Sequence, residues 1–239
     1  MTVTTPAERI FCAIDTTDLD AALALAEALR GRVGGIKLGK EFFTAHGPQG
    51  VARIKAAGHR IFLDLKYHDI PNTVAGAVRA ATGLGCFMLT VHASGGAEMV
   101  RAAVAARGEA ATPKIVAVTV LTSLSEDDLE TVGQTGPLPE PALRLGRLAR
   151  AAGADALVAS PHEVALLRRE LGRDCLLVVP GVRPGGAAAN DQKRVMTPAE
   201  AMRAGATHLV IGRPITKAAD PAGAASRIAE EIAGRNAAA

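Results

Sequence analysis

The sequence is poor in aromatic residues, cysteine and net charge, and each of these shortages narrows the class of protein. It has no Trp, one Tyr and five Phe, although hydrophobic residues make up 49% of the chain, so its apolar volume comes mainly from aliphatic side chains. Such a composition is typical of helices packed on buried aliphatic strands and excludes a disordered or fibrous protein. The formal net charge of +3 is too small to indicate a nucleic-acid partner.

The cysteines and the first residues of the chain contain no sign of export. Cys12, Cys86 and Cys175 are odd in number, widely separated and embedded in apolar runs, which is typical of buried thiols rather than of disulfides or metal ligands. No window of roughly 18 residues stays apolar, and no basic segment followed by an apolar one begins the chain. We therefore expect a cytoplasmic protein with no membrane partner.

Short aliphatic runs alternate with Ala- and Leu-rich helical segments along the whole chain. The predicted strands are 9–15, 34–38, 60–65, 86–91, 114–121, 156–160, 175–179 and 208–211. The predicted helical segments are 18–30, with Asp18 as its N-cap, and 71–84, 97–107, 142–152, 162–171, 198–204 and 219–232. This alternation predicts an α/β fold, a (β/α)8 TIM barrel that forms one domain over residues 1–239, with an open doubly wound sheet as the alternative.

Polar residues gather where the predicted strands end, which is where a TIM barrel carries its chemistry. In chain order they are Asp15, Lys37, Asp64, Lys66, Asp69, His92, Thr119, Thr122, Ser123, Ser160, Arg183, Gly212 and Arg213. Any one of them is better explained as a cap or a solvated loop residue. A ring of them at the same end of successive strands predicts a functional site.

The segment 61–73 is the most informative part of this ring. Asp64 and Lys66 lie two residues apart on a predicted strand, so their side chains share one face. Unpaired buried charge is costly, and the two must therefore neutralise each other or serve a ligand. The alternative is a structural ion pair followed by a helix that Asp69 and Pro71 begin.

The same segment resembles the orotidine 5′-phosphate decarboxylase family in its bacterial form. Its pattern is Asp64-x-Lys66-x-x-Asp69-Ile70-Pro71-x-Thr73, and further motifs stand in family order at 13–15, 35–37, 91–93, 120–123, 180–184, 191–192 and 211–215. The first three charged residues alone are shared by a wider group of phosphosugar-binding barrels. The continuation into Ile70 and Pro71, together with the loop 183–192, makes the resemblance specific, and it covers essentially the whole chain.

The resemblance implies loss of carbon dioxide from orotidine 5′-phosphate to give uridine 5′-phosphate, without a metal or another cofactor. It implies that Lys66 stabilises and then protonates a carbanion in the plane of the ring, within an alternating charge array of Lys37, Asp64, Lys66 and Asp69. It also implies a homodimer with shared active sites, in which the residues that reach the partner's site are Asp69, Ile70 and Thr73.

The remaining site residues are expected to bind the rest of the nucleotide. Asp15 and Lys37 are expected to hold the ribose hydroxyls. Backbone N–H groups around Gly212 and the guanidinium of Arg213 favour phosphate binding after the eighth strand. The Gly- and Ala-rich loop that runs from Arg183 to Gln192 is expected to close over the ligand.

Thr122 and Ser123 are expected to contact the pyrimidine edge, or else to cap the segment that follows them.

Two other functions stay open. One is a related barrel enzyme that uses a divalent metal on a sugar phosphate, which Lys37 and the Ile70–Pro71 extension disfavour. The other is a nucleotide-binding barrel without catalysis, against which the intact charged residues argue. No spacing of His, Cys and acidic residues predicts a metal site.

Overall fold

The computed structural model describes residues 5–185 and 196–234 of the chain. Eight parallel strands form a closed barrel in which each strand pairs with its sequence neighbours and the last pairs with the first. The strands are β1 (Ile10–Ile14), β2 (Gly35–Gly39), β3 (Ile61–Tyr67), β4 (Met88–His92), β5 (Lys114–Val118), β6 (Ala156–Val158), β7 (Leu176–Pro180) and β8 (His208–Ile211). The predicted (β/α)8 barrel is confirmed, and the open sheet is excluded.

Helices alternate with the strands around the outside of the barrel. They are α1 (Leu19–Ala28), α2 (Lys40–Ala56), α3 (Pro71–Thr82), α4 (Gly96–Arg107), α5 (Glu126–Thr131), α6 (Pro139–Ala151), α7 (Val164–Leu171), α8 (Pro198–Ala204), α9 (Arg213–Thr216) and α10 (Pro221–Ile232). The predicted N-cap of α1 is confirmed, because the Asp18 carboxylate accepts a hydrogen bond from the Ala21 N–H at 2.9 Å.

Several element bounds differ from the predicted ones, for local reasons. The fifth strand ends at Val118 rather than at 121, and the next residue, Thr119, turns its hydroxyl to the Val158 carbonyl. Helix α6 begins at Pro139, three residues before the predicted start at 142, because a proline suits the first turn of a helix. Helix α2 was not predicted, since Gly47 and Pro48 interrupt its helical pattern and kink it at a positive φ of 57°.

The core has two layers because alternate strand residues face opposite sides of the barrel wall. On β1, Ile10 and Cys12 face outward into the large cluster between the strands and the helices. Phe11 faces inward, where its ring stacks on Phe87 at 6.0 Å and meets Phe62 edge-on at 5.7 Å between centroids. These rings fill the amino-terminal half of the barrel and leave its carboxyl end for polar residues.

The three cysteines are free and buried, as their apolar surroundings predict. Burial raises the pKa of Cys12 to about 12 and that of Cys86 to about 11, so both remain uncharged thiols at neutral pH. In the described part of the chain, none of the helices combines the length and the apolar character that crossing a bilayer requires.

Candidate active site

The carboxyl ends of the first three strands bring four charged side chains into one row of alternating sign. The Lys37 Nζ lies 3.4 Å from the Asp15 Oδ1 and 3.4 Å from the Asp64 Oδ2. The Lys66 Nζ lies 2.8 Å from the Asp64 Oδ1. Asp64 and Lys66 share a face as their spacing predicts, and Phe62 lies directly below them on that face.

Asp64 is held in its ionised form by its neighbours. Burial disfavours the charged carboxylate, but the ammonium groups of Lys37 and Lys66 and hydrogen bonds from Lys66 and Thr90 outweigh burial, so the pKa of Asp64 lies below its usual value. The side chains of Lys37 and Asp64 are only 10% and 13% exposed. Removing Asp64 would leave the buried Lys37 with Asp15 as its remaining partner in the row, and removing Lys37 would leave Asp64 with Lys66, so either change would weaken the compensation of a largely buried charge.

Lys66 has an unusual backbone that results from an irregularity between β3 and β4. Leu63 pairs with Leu89 and Tyr67 with Val91, so three residues of β3 lie opposite the single residue 90. Lys66 has a φ of 53°, and in the described ranges it is the one residue other than glycine with a positive φ. After the bulge the chain rejoins the sheet at Tyr67, the last residue of β3.

Thr90 fills the space opposite the bulge, and it is not among the site residues predicted from the sequence. Its side chain is fully buried, its hydroxyl accepts the Lys66 backbone N–H at 2.8 Å, and it donates to the Asp64 Oδ1 at 3.0 Å. The available signal was a lone hydroxyl in an otherwise aliphatic stretch of β4, two residues before His92.

A cavity of about 230 Å³ opens beside the charged row. Its lining residues are Lys37, Phe62, Asp64, Lys66, Val118, Val120, Leu121, Thr122, Val158, Pro180 and Val210. The cavity is thus apolar except for the charged row on one side and a hydroxyl on another. An arrangement of this kind suits a flat ring whose edge carries a negative charge.

A second cavity, of about 340 Å³, adjoins the first and shares Leu121 and Thr122 with it. Ser123 lines this second cavity only, together with Ser160 and Glu163 at the end of β6. Of the two predicted hydroxyl contacts, the structure therefore places Thr122 beside the charged row and Ser123 farther from it.

The predicted phosphate residues follow β7 and β8. Gly212 directly follows β8 and Arg213 begins α9, where its side chain is exposed. Arg183 is buried instead, and its guanidinium donates to the Val182 carbonyl at 2.9 Å. Gln192 lies outside the described residues. Val210, which lines the first cavity, is two residues before Gly212, so the predicted phosphate site lies next to that cavity.

Asp69, Ile70 and Thr73 are not part of the charged row of their own chain. All three are exposed, and the Asp69 carboxylate accepts the N–H of Ile70 at 2.7 Å. Ile70 is 67% exposed, which is high for a large apolar side chain. Together with Pro71, which begins α3, they form an exposed surface that starts three residues after Lys66.

His92 at the end of β4 lies near the row but outside it. Burial, followed by the charges of His68 and Lys66, lowers the pKa of His92 to about 4, so it is neutral near pH 7. Its ring centroid lies 5.3 Å from that of His68. Over residues 5–185 and 196–234, no three His, Cys, Asp or Glu side chains are grouped so as to hold a metal ion.

Comparisons with known proteins agree with the predicted resemblance. Residues 8–228 match the family described as Orotidine 5′-phosphate decarboxylase / HUMPS family. A protein of Paramagnetospirillum magneticum named orotidine 5′-phosphate decarboxylase is 53% identical over 229 residues, which cover 93% of this chain and 97% of that protein. One of the same name from Anaeromyxobacter dehalogenans is 54% identical over 224 residues, which cover 94% of this chain and 98% of that protein.

A solved structure gives the same result at the level of the fold. The crystal structure of orotidine 5′-phosphate decarboxylase from Lactobacillus acidophilus superimposes with a TM-score of 0.81 at 35% sequence identity, covering 93% of this chain and 98% of the other. The family match extends over nearly the whole barrel, and the relatives agree with it in both sequence and structure. The chain therefore belongs to the orotidine 5′-phosphate decarboxylase / HUMPS family.

Proposed function

We propose that the protein decarboxylates orotidine 5′-phosphate to uridine 5′-phosphate, the last step of pyrimidine nucleotide synthesis. The observation that carries this proposal is the charged row beside an apolar cavity, in a chain that is more than half identical to proteins named for this reaction. The proposed reaction requires no metal and no other cofactor.

Lys66 is the residue to which we assign the chemical step. When the bond between the ring carbon and the carboxylate breaks, the electron pair stays on the ring carbon, in an orbital that the ring cannot delocalise. A fixed ammonium group stabilises that charge and then gives its proton to the same carbon. Asp64, at 2.8 Å, orients the ammonium group and stays ionised because its pKa is low.

The rest of the nucleotide is assigned to the other residues of the carboxyl end. Asp15 and Lys37 offer an acceptor and a donor for the ribose hydroxyls. Gly212 and Arg213 are assigned to the phosphate, together with Arg183 and Gln192, which follow β7 in the sequence. When the phosphate is bound, its binding energy helps to stabilise the transition state at the reacting carbon, although the phosphate itself does not react.

We also propose a homodimer in which each site takes Asp69, Ile70 and Thr73 from the partner subunit. Two observations support it: Ile70 is largely exposed, and the Asp69 carboxylate accepts the Ile70 N–H of its own chain and makes no contact with Lys66. A cytoplasmic location, without a nucleic-acid or membrane partner, remains the prediction made from the sequence.

A metal-dependent reaction on a sugar phosphate is the rival function within the same family of barrels. Such a reaction needs acidic side chains that are free to hold a divalent cation. Here the Lys37 ammonium lies between Asp15 and Asp64, and the Lys66 ammonium also contacts Asp64, so two cations balance the two carboxylates. This arrangement favours the metal-free decarboxylation.

The test follows the ultraviolet absorbance of orotidine 5′-phosphate in the presence of a chelator. The wild-type protein should consume the substrate, and Lys66→Ala should lower turnover by about 1,000-fold or more. Binding of uridine 5′-phosphate should persist in the variant. Lys55→Ala, at an exposed lysine of α2 that donates to the Leu84 carbonyl, is the control and should keep wild-type turnover.

Near-normal turnover by Lys66→Ala would refute the role of this lysine. Loss of wild-type activity on addition of the chelator would instead favour the metal-dependent rival.

A further inference from the structure

We infer that Thr90 is a positioning residue, whose one hydroxyl holds both the Lys66 backbone and the Asp64 carboxylate in their active arrangement. The inference rests on the proposed function, because it concerns how the proton donor of that reaction is aimed. It is carried by the hydrogen bonds around the bulge of β3.

The direction of these hydrogen bonds is fixed by their chemistry. The Lys66 backbone N–H can only donate, so at 2.8 Å the Thr90 oxygen must accept. The single hydroxyl proton is then available to the Asp64 Oδ1 at 3.0 Å. The same carboxylate oxygen accepts from the Lys66 Nζ at 2.8 Å, which closes a ring of three hydrogen bonds on Lys66.

The bulge explains why this ring needs a hydroxyl group. Three residues of β3 lie opposite Thr90, so the Lys66 N–H has a hydroxyl as its partner instead of a strand carbonyl. A β-branched side chain is stiff at χ1, and Thr90 is fully buried in the barrel wall, so the oxygen is held in one place. The hydroxyl thereby supports the left-handed backbone of Lys66.

Removing the hydroxyl would take one hydrogen bond from the Lys66 backbone and one from the Asp64 carboxylate. The Lys66 N–H would lose its acceptor, so its backbone could relax and carry the ammonium away from Asp64. Asp64 would also lose a donor that favours its ionised form, although Lys37 of β2 and Lys66 of β3 would remain beside it. The other titratable groups nearby are Asp15 after β1, across Lys37, and the neutral ring of His92 on β4.

The test compares Thr90→Val, which keeps the shape, with Thr90→Ser, which keeps the hydroxyl. In Thr90→Val, kcat should fall by about 10- to 100-fold while KM changes by less than about 3-fold, because the reacting group is misplaced while the nucleotide contacts remain. In a plot of kcat against pH, the fall of activity on the acid side (the acid limb) should move to higher pH in Thr90→Val, because Asp64 loses a donor that favours its ionised form. It should not move in Thr90→Ser. Thr90→Ser should restore most of the turnover.

Thr207→Val is the matched control at the opposite end of the barrel. The Thr207 hydroxyl also accepts a backbone N–H and donates to an oxygen, both of Leu177 at 2.9 Å, but it touches no charged residue of the site. This variant should keep wild-type kcat and the wild-type acid limb. A loss of activity caused only by a loosened barrel would affect both valine variants alike and would overturn the inference.

The remaining outcomes also decide the question. Wild-type kcat with an unmoved acid limb in Thr90→Val would overturn the role of Thr90 while leaving the proposed function intact. A wild-type protein that does not consume orotidine 5′-phosphate would overturn both. If Thr90→Val does not fold, Thr90→Ala takes its place, and equal activity of the alanine and serine variants would contradict the inference.

Discussion

At the scale of single residues, buried ionisable groups link the stability of the barrel to pH. His208, at the amino end of β8, packs beside the Phe11 ring at 5.8 Å between centroids. Burial, followed by the charges of Arg60, Arg9 and Lys114, lowers its pKa to about 4. Since unfolding returns the side chain to water, the unfolded chain takes up the proton at a higher pH than the folded one.

We expect His208→Gln to weaken the acid dependence of stability. The stabilisation from the depressed pKa is fully present above about pH 6.5 and is lost as the pH falls towards about 4, by an amount on the order of 3 kcal/mol. Urea unfolding of the wild type between pH 4.5 and 7 should show this fall, and the variant should show less of it. His162→Gln, at an exposed histidine, should keep the wild-type slope, and equal slopes in all three proteins would contradict the prediction.

The charged row shows how far single residues could be predicted from the sequence. Side-chain parity on a strand was enough to put Asp64 and Lys66 on one face, and the strand-end rule for TIM barrels placed Lys37 near them. Thr90 could not be predicted, because its contacts depend on a register shift between two strands. Spacing along one strand contains no information about such a shift.

At the scale of single elements, helix α1 offers a direct test of capping. Asp18→Ala removes the acceptor for the Ala21 N–H and should lower the free energy of unfolding by about 1 kcal/mol. Asp18→Asn keeps an oxygen acceptor and should lose less than about half as much. Denaturant unfolding of the three proteins at neutral pH measures the difference, and equal losses would show that the cap hydrogen bond is unimportant.

Elements with an uninterrupted pattern could be predicted, and those with interrupted patterns could not. The eighth strand and helix α8 have the predicted bounds, because Thr197 and Gly205 mark the two ends of that helix. Helix α5 has six residues and was missed, since such a length is too short to display helical periodicity. Its capping box, Ser125 with Asp128, was the only local signal.

At the scale of the whole molecule, shared sites can be tested by mixing inactive variants. Asp69→Ala and Lys66→Ala should each be inactive alone. If a site combines Lys66 of one chain with Asp69 of the partner subunit, each mixed dimer regains one intact site. Random exchange of equal amounts should then restore about one quarter of the wild-type activity per chain, as a steady-state assay would show.

The control for this experiment mixes two single variants whose altered residues contact each other within the same chain. Asp64 and Lys66 form an ion pair in the same chain, so mixing Asp64→Ala with Lys66→Ala should restore nothing. Absence of recovery in the first mixture, when subunit exchange has been demonstrated with tagged chains, would argue against the shared site.

The packing inside the barrel has a consequence for how products leave. Three phenylalanine rings and Met88 fill the barrel below the Lys66 ammonium in the described residues, so this side offers no passage. Both products of the proposed reaction must then depart by the route through which the substrate arrived. A small neutral gas can slip past the edge of a bound base, whereas the nucleotide stays until its phosphate is freed. With one shared route and the phosphate bound as proposed, we expect carbon dioxide to depart before uridine 5′-phosphate.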